Sequence, residues 1–157
     1  MADLYRDLDR ASHYEELTSE QHEFWSDFPN LGGQSWFAGV IGMELEEIRL
    51  GYARMRLPFS KKNLQPAEVI HGGALATVID TVVVPAIGVG IPPGSLFSTI
   101  ELHVQYHRPV VTDVVAEGWV VRQGRSVVFS RAEVFDDTDR LVASGTATYA
   151  VKPAPTP

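Results

Sequence analysis

The sequence predicts an α+β domain in which an antiparallel sheet wraps around a single buried helix. Three observations carry this. Only one apolar run has helical length, Gly72 to about Val89 (GGALATVIDTVVVPAIGV). It is apolar nearly all round, as expected of a helix enclosed on every side. On either side of it hydrophobicity alternates with a period of two, the mark of half-buried strands. Turn residues also separate the later strands closely, which suits a meander.

The elements follow in order. Thr18 with Gln21 forms a possible capping box, opening a short helix to about Asp27. Pro29, Gly32 and Gly33 break the chain, and Trp36 to Ile41 offers one or two further helical turns. Leu45, Ile48 and Leu50 precede Gly51, and Ala53, Met55 and Leu57 alternate with Arg54 and Arg56. That reads as a hairpin. Ser60 to Val69 is a loop. In the long helix, Val82 to Val84 are β-branched and Pro85 should kink the helix or end its regular part. Four strands follow the Pro92-Pro93-Gly94 turn: Thr99 to His107, Val114 to Arg122, Ser126 to Phe135 and Leu141 to Val151. In the first, Ile100, Leu102, Val104 and Tyr106 share one face. Glu101, His103, Gln105 and His107 share the other. The 157 residues form one domain: 1–35 a helical extension, 36–151 the core and 152–157 a loose tail. There is no internal repeat.

Composition narrows the function. There is no cysteine, which removes disulfides, thiolate nucleophiles and thiolate metal sites. The formal charge of −7 speaks against broad nucleic-acid binding but leaves room for a local arginine cluster that holds a phosphate. The start, MADLYRDLDR, is not a signal peptide, and Gly, Pro and Asp interrupt the apolar stretch from Val69 to Ile100 too often for a membrane span. A cytoplasmic location is expected.

Within Val69 to Ile100 there is one charged side chain, Asp80, in the middle of the predicted helix. A carboxylate there needs partners. It is either a functional group or a structural one bonded to hydroxyls such as Thr77 or Thr81. At the helix start, His71-Gly72-Gly73 presents backbone N–H groups that could polarise a carbonyl. Gly72 and Asp80 are separated by ~12 Å at ~1.5 Å of rise per residue. One carbonyl cannot contact both groups of one chain. If both act on it, two chains must pair, with antiparallel helices across a two-fold axis and two equal sites.

These residues resemble the hotdog-fold thioesterases, in particular the phenylacetic-acid-degradation (PaaI-like) group. The resemblance spans about Val40 to Val151 and is most specific in VIHGGALATVIDT (69–81), with the acidic residue nine positions after His71. TIELHVQYHRP (99–109), VVAEGWVVRQGRS (114–126) and RLVASGTATYAV (140–151) also match. The resemblance implies a strongly curved sheet around the helix, dimers with a continuous sheet, and often tetramers. It also implies hydrolysis of an acyl-CoA, aromatic or of short to medium chain, with no metal and no cofactor. By the same resemblance the Gly72 amide polarises the thioester carbonyl, and Asp80 of the partner subunit attacks it or activates water. Gln65 stands where the family commonly has Asn, so a side-chain amide is retained near the thioester. Glu68 stands where Gly is usual. A hydroxyl early in the following strand assists; Thr99 is the expected residue, with Ser98 the alternative on the opposite face. His71 and Gly73 shape the substrate-binding turn. Arg108, and Arg122 and Arg125 around the Gln123-Gly124 turn, are candidates for the CoA phosphates.

Other signals are weaker. His103 and His107 lie ~13 Å apart along a strand at ~3.3 Å per residue, too far for one metal ion. Ser95, Ser98 and Ser126 lack a nucleophile motif. Phe24, Trp25, Phe28, Trp36 and Phe37 could wall an acyl pocket, or simply pack the extension onto the core. The rival function is a non-catalytic acyl-CoA-binding module, because a fold does not fix its chemistry.

Overall fold

A computed structural model describes residues 4–154. Six strands form one antiparallel sheet: β1 (Glu44–Arg49), β2 (Tyr52–Leu57), β3 (Leu96–Tyr106), β4 (Val114–Gln123), β5 (Val127–Phe135) and β6 (Leu141–Lys152). Their spatial order is β1-β2-β4-β5-β6-β3. The sheet packs on one long helix, which follows two short ones: α1 (Ser19–Ser26), α2 (Phe37–Val40) and α3 (Gly72–Gly88). This is the hotdog arrangement.

The apolar character of α3 has a direct cause. Leu75, Val78, Ile79, Val82, Val83 and Ile87 are all buried in the main core, with Met55, Leu57, Val114, Ala116, Val128 and Ala147 of the strands. The helix lies close to the sheet at Gly118 of β4, where a Cβ would fall 2.8 Å from the Val82 side chain. Pro85 does not end the helix, which continues to Gly88. Packing on this side outweighs the one backbone bond that a proline removes. The capping box of α1 forms as expected: the Gln21 N–H donates to Thr18 Oγ1, and the Thr18 N–H donates to Gln21 Oε1.

Four strand details depart from the sequence reading. The β3 strand begins at Leu96 rather than Thr99, and its register with β6 slips between Thr99 and Glu101. Ile100 is therefore the extra residue of a bulge, and the two-residue alternation breaks there. Nor does β3 bury a full face: Leu96, Ile100, Leu102 and Tyr106 are exposed at the edge of the sheet. At the other terminus Lys152 belongs to β6 rather than to a tail, and residues 155–157 lie outside the described part.

The N-terminal segment is pinned to the sheet by long-range contacts. The Arg6 N–H donates to the Asp139 carbonyl, and the Leu50 N–H donates to the Glu15 carbonyl. Tyr14 stacks on Tyr52 at 5.1 Å. Arg10 reaches Glu117 at 3.2 Å and Glu133 at 2.7 Å, and its guanidinium sits 4.2 Å from the centre of the Trp119 ring. Burial pushes the Glu117 carboxyl above its ordinary range, although Arg10 and Arg6 act in the opposite direction. Of the aromatic cluster, Trp25 is buried and Phe28 is packed beside it, whereas Phe24, Trp36 and Phe37 are exposed.

Candidate active site

Asp80 is half-buried on α3, and its partners are neither Thr77 nor Thr81. Thr77 instead donates to the Gly73 carbonyl. The Thr99 hydroxyl donates to Asp80 Oδ1 at 2.9 Å. Of the two hydroxyls considered in the sequence, Thr99 is thus the one that touches the carboxylate. The Tyr149 hydroxyl lies 2.9 Å from the same Oδ1 and 2.6 Å from the Asp80 carbonyl oxygen, so its proton is shared between them. Burial pushes the Tyr149 phenol well above its ordinary range, which keeps it a neutral donor. Oδ1 is therefore held by two hydroxyls. Oδ2 makes no hydrogen bond among the described residues, so it can accept a proton or attack an electrophile.

The second group of candidate residues lies at the start of α3. A helix leaves its first N–H groups without intrahelical partners. Here the Gly73 N–H donates to His71 Nδ1 at 2.8 Å, and the Ala74 and Leu75 N–H groups both donate to the His71 carbonyl. The Gly72 N–H alone of this set has no partner among the described residues. His71 is the N-cap of the helix, and its side chain accepts from the Gly73 N–H. The Tyr106 hydroxyl donates to the Gly72 carbonyl at 2.9 Å, fixing this end of the helix to β3.

The loop before the helix explains the glutamate at position 68. Glu68 has φ 59, the left-handed conformation that glycine adopts without strain. The loop shape that a glycine would give is present, with a side chain tolerated at a cost. The loop closes through backbone bonds, Gln65 N–H to the Val69 carbonyl and Glu68 N–H to the Gln65 carbonyl. The Gln65 side chain is exposed and makes no hydrogen bond among the described residues.

The arginine candidates separate into two groups. Arg108 is half-buried, and its Nη1 donates to the Leu141 carbonyl at 3.1 Å. Arg122 and Arg125 are exposed and make no ion pair among the described residues. Gly124 closes their turn by donating to the Val127 carbonyl. The Gln123 side-chain amide ties this turn to the Gly90 carbonyl, just beyond the C-terminal end of α3. One chain therefore places Arg122 and Arg125 at the opposite end of α3 from Gly72. Among the described residues no cluster of His, Asp and Glu could hold a metal ion, and no helix is long and apolar enough to cross a membrane.

Tyr149 is the site residue that sequence reasoning missed. A signal existed: it lies on the buried β6 strand, in step with Ala147 and Val151. A buried phenol needs a hydrogen-bond partner.

Comparison with known proteins adds the family context. Residues 67–143 match the sequence model of the thioesterase superfamily. A candidate esterase of Halobacterium salinarum is 34% identical, over 68% of this chain and 74% of that protein. The medium/long-chain acyl-CoA thioesterase YigI of Escherichia coli is 27% identical, over 73% of this chain and 84% of its own. A solved structure of a protein from the thioesterase superfamily is 31% identical with a TM-score of 0.73, covering 85% of this chain and all of that one.

Proposed function

Because the chain belongs to the thioesterase superfamily, we propose that it hydrolyses acyl-CoA thioesters at a site shared between two copies, nearest in kind to the PaaI-like enzymes. One observation carries this reading. A carboxylate is held on one oxygen by two hydroxyls with the other oxygen open, and an unpaired N–H stands at the start of the same helix. The two groups are ~12 Å apart along the axis at ~1.5 Å per residue, so they meet on one thioester only across a two-fold axis.

In this reading the carbonyl oxygen lies against the Gly72 N–H of one subunit. Asp80 Oδ2 of the other takes a proton from water as the hydroxyl adds to the carbonyl carbon. The oxyanion then collapses, the C–S bond breaks, and the CoA thiolate leaves with the proton. Direct attack by Oδ2 would give an acyl anhydride that water then opens, with the same products. In either route the amide of Gly72 stabilises negative charge that exists only on the way to products. Thr99 and Tyr149 hold Asp80 in place. Gln65 supplies a free amide close to the helix start. Arg122 and Arg125, unpaired at the opposite end of α3, fall near the Gly72 end of an antiparallel partner, where the CoA phosphates require cations.

The exposed apolar edge of β3 supports pairing with a second copy, since an uncovered edge of this length invites another strand. A cytoplasmic location fits a CoA substrate.

Release of free thiol from acetyl-, hexanoyl-, decanoyl-, benzoyl- and phenylacetyl-CoA, followed colorimetrically, tests the proposal. Wild-type chain should release thiol, and a folded Asp80→Asn variant should lose release by several orders of magnitude. Saturable acyl-CoA binding without release would instead establish the non-catalytic module.

A further inference from the structure

A hollow of about 560 Å³ lies between α1 and the C-terminal end of α3, within the size range of small-molecule sites. Phe24, Trp25, Leu31, Gly88, Val89 and Phe97 form its apolar walls. The wall made by α1 is fixed. Trp25 is buried against Gly88, where even a Cβ would fall 2.0 Å from the indole. The Gln21 amide also donates to the Val89 carbonyl at 3.4 Å. Gly88 therefore serves as the seat of the indole, and α1 cannot dock as it does over a larger residue.

The walls of the hollow are packed next to the side chains around Asp80. Val84 follows Asp80 by one helical turn, and both Val84 and Phe97 pack against the main core and against the Trp25–Ile48–Val89 cluster. The Phe97 ring lies 6.0 Å from that of Tyr149, whose hydroxyl holds Asp80. From Asp80 to Gly88 the helix advances ~12 Å at ~1.5 Å per residue. A straight acyl chain of medium length spans that distance, whereas an acetyl or benzoyl group ends short of it. The α1 wall also lies outside residues 67–143, the part matched by the superfamily.

We infer that this hollow receives the distal methylenes of a medium-length straight acyl chain whose thioester lies at Asp80, so that the N-terminal helix α1 sets the preferred chain length. The inference rests on the thioesterase reading, and the test separates the two.

The kcat/KM of acetyl-, hexanoyl- and decanoyl-CoA is measured for the wild type, for Leu31→Trp, which fills the hollow, and for Phe24→Ala, which opens its exposed wall and leaves the buried core intact. Binding of S-decyl- and S-ethyl-CoA, thioethers that cannot be hydrolysed, is measured beside them. A buried methylene is worth ~fourfold in affinity, so the wild type should prefer decanoyl over acetyl by ~100-fold or more. Leu31→Trp should lower the decanoyl-to-acetyl ratio ~tenfold to ~100-fold, and Phe24→Ala should lower it severalfold, the loss of a few methylene contacts in each case. Decyl and ethyl thioethers should show the same ordering in binding. Equal preference for all lengths, or ratios that neither variant moves, would overturn the inference while leaving the thioesterase standing. Length-dependent thioether binding without thiol release would support the hollow and overturn the thioesterase. If Leu31→Trp fails to fold, the Phe24→Ala ratio decides alone.

Discussion

Gly72→Pro separates the backbone donor from everything else at the start of α3. Gly72 is the first residue of the helix, the position where proline is best tolerated. His71 before it has φ −62 and ψ 136, an extended conformation compatible with a following proline. No hydrogen bond is lost, because the Gly72 N–H has no partner among the described residues while its three neighbours do. A Cβ at this position meets the Tyr106 ring at 3.4 Å, an ordinary contact. Stability should therefore hold or rise by ~0.4–1 kcal/mol through the stiffer unfolded chain. That corresponds to roughly 1–4 °C in melting temperature for a domain of this size. Loss of a single oxyanion donor should lower kcat ~100- to ~1000-fold, or ~2.7–4 kcal/mol of barrier. Gly72→Ala keeps the N–H and should lose far less. The assay is thiol release under saturating acyl-CoA, with melting followed by circular dichroism. A folded Gly72→Pro protein whose kcat stays within about threefold of wild type would refute the role given to this amide.

Three further outcomes are expected. Tyr149→Phe keeps the ring but removes one of the two hydroxyls on Asp80 Oδ1. A hydrogen bond to a charged group is worth ~1.5–3 kcal/mol, so kcat should fall at least ~tenfold while KM changes little. An unchanged kcat would show that Thr99 alone positions the carboxylate. Glu68→Gly relieves the left-handed backbone at φ 59 and should raise stability by up to ~1 kcal/mol in urea unfolding, the ~1–2 kcal/mol strain less the entropy of glycine. A loss of stability would show that the Glu68 side chain makes a favourable interaction that outweighs the strain. Burial raises the Glu117 carboxyl in the folded chain, so its contribution to stability is complete below the ordinary value of 4.5 and lost as pH rises through the raised value. Glu117→Gln removes that dependence. Its melting temperature relative to wild type should therefore climb between about pH 4.5 and neutrality, and a flat or falling difference would contradict the assignment.

The parts of this molecule written in local pattern were legible from sequence. The bounds of α3 follow from one apolar run that starts at paired glycines, and the α1 start follows from Thr18 and Gln21. Asp80 stood out because a charge amid apolar residues is rare. What was not legible depends on partners distant in the chain. The slip between Thr99 and Glu101 is defined only against β6. The bonds from Thr99 and Tyr149 join Asp80 to two strands far along the chain, so the neighbouring threonines on the helix were plausible partners until the fold placed the strands. The Glu68 conformation was hidden because the residue itself argues against it. The grip of Arg10 on Glu117 and Glu133 has no sequence signature at all.

If groups of two different subunits act on one thioester, mixing two inactive variants restores activity, which tests the shared site directly. Gly72→Pro keeps Asp80 and lacks the amide donor; Asp80→Asn keeps the donor and lacks the carboxylate. Refolded together in equal amounts, half of the dimers should be mixed, each with one intact site of two. Thiol release should then return to about a quarter of the wild-type specific activity. No recovery in the mixture, beside an active wild type and two folded variants, would contradict the shared site.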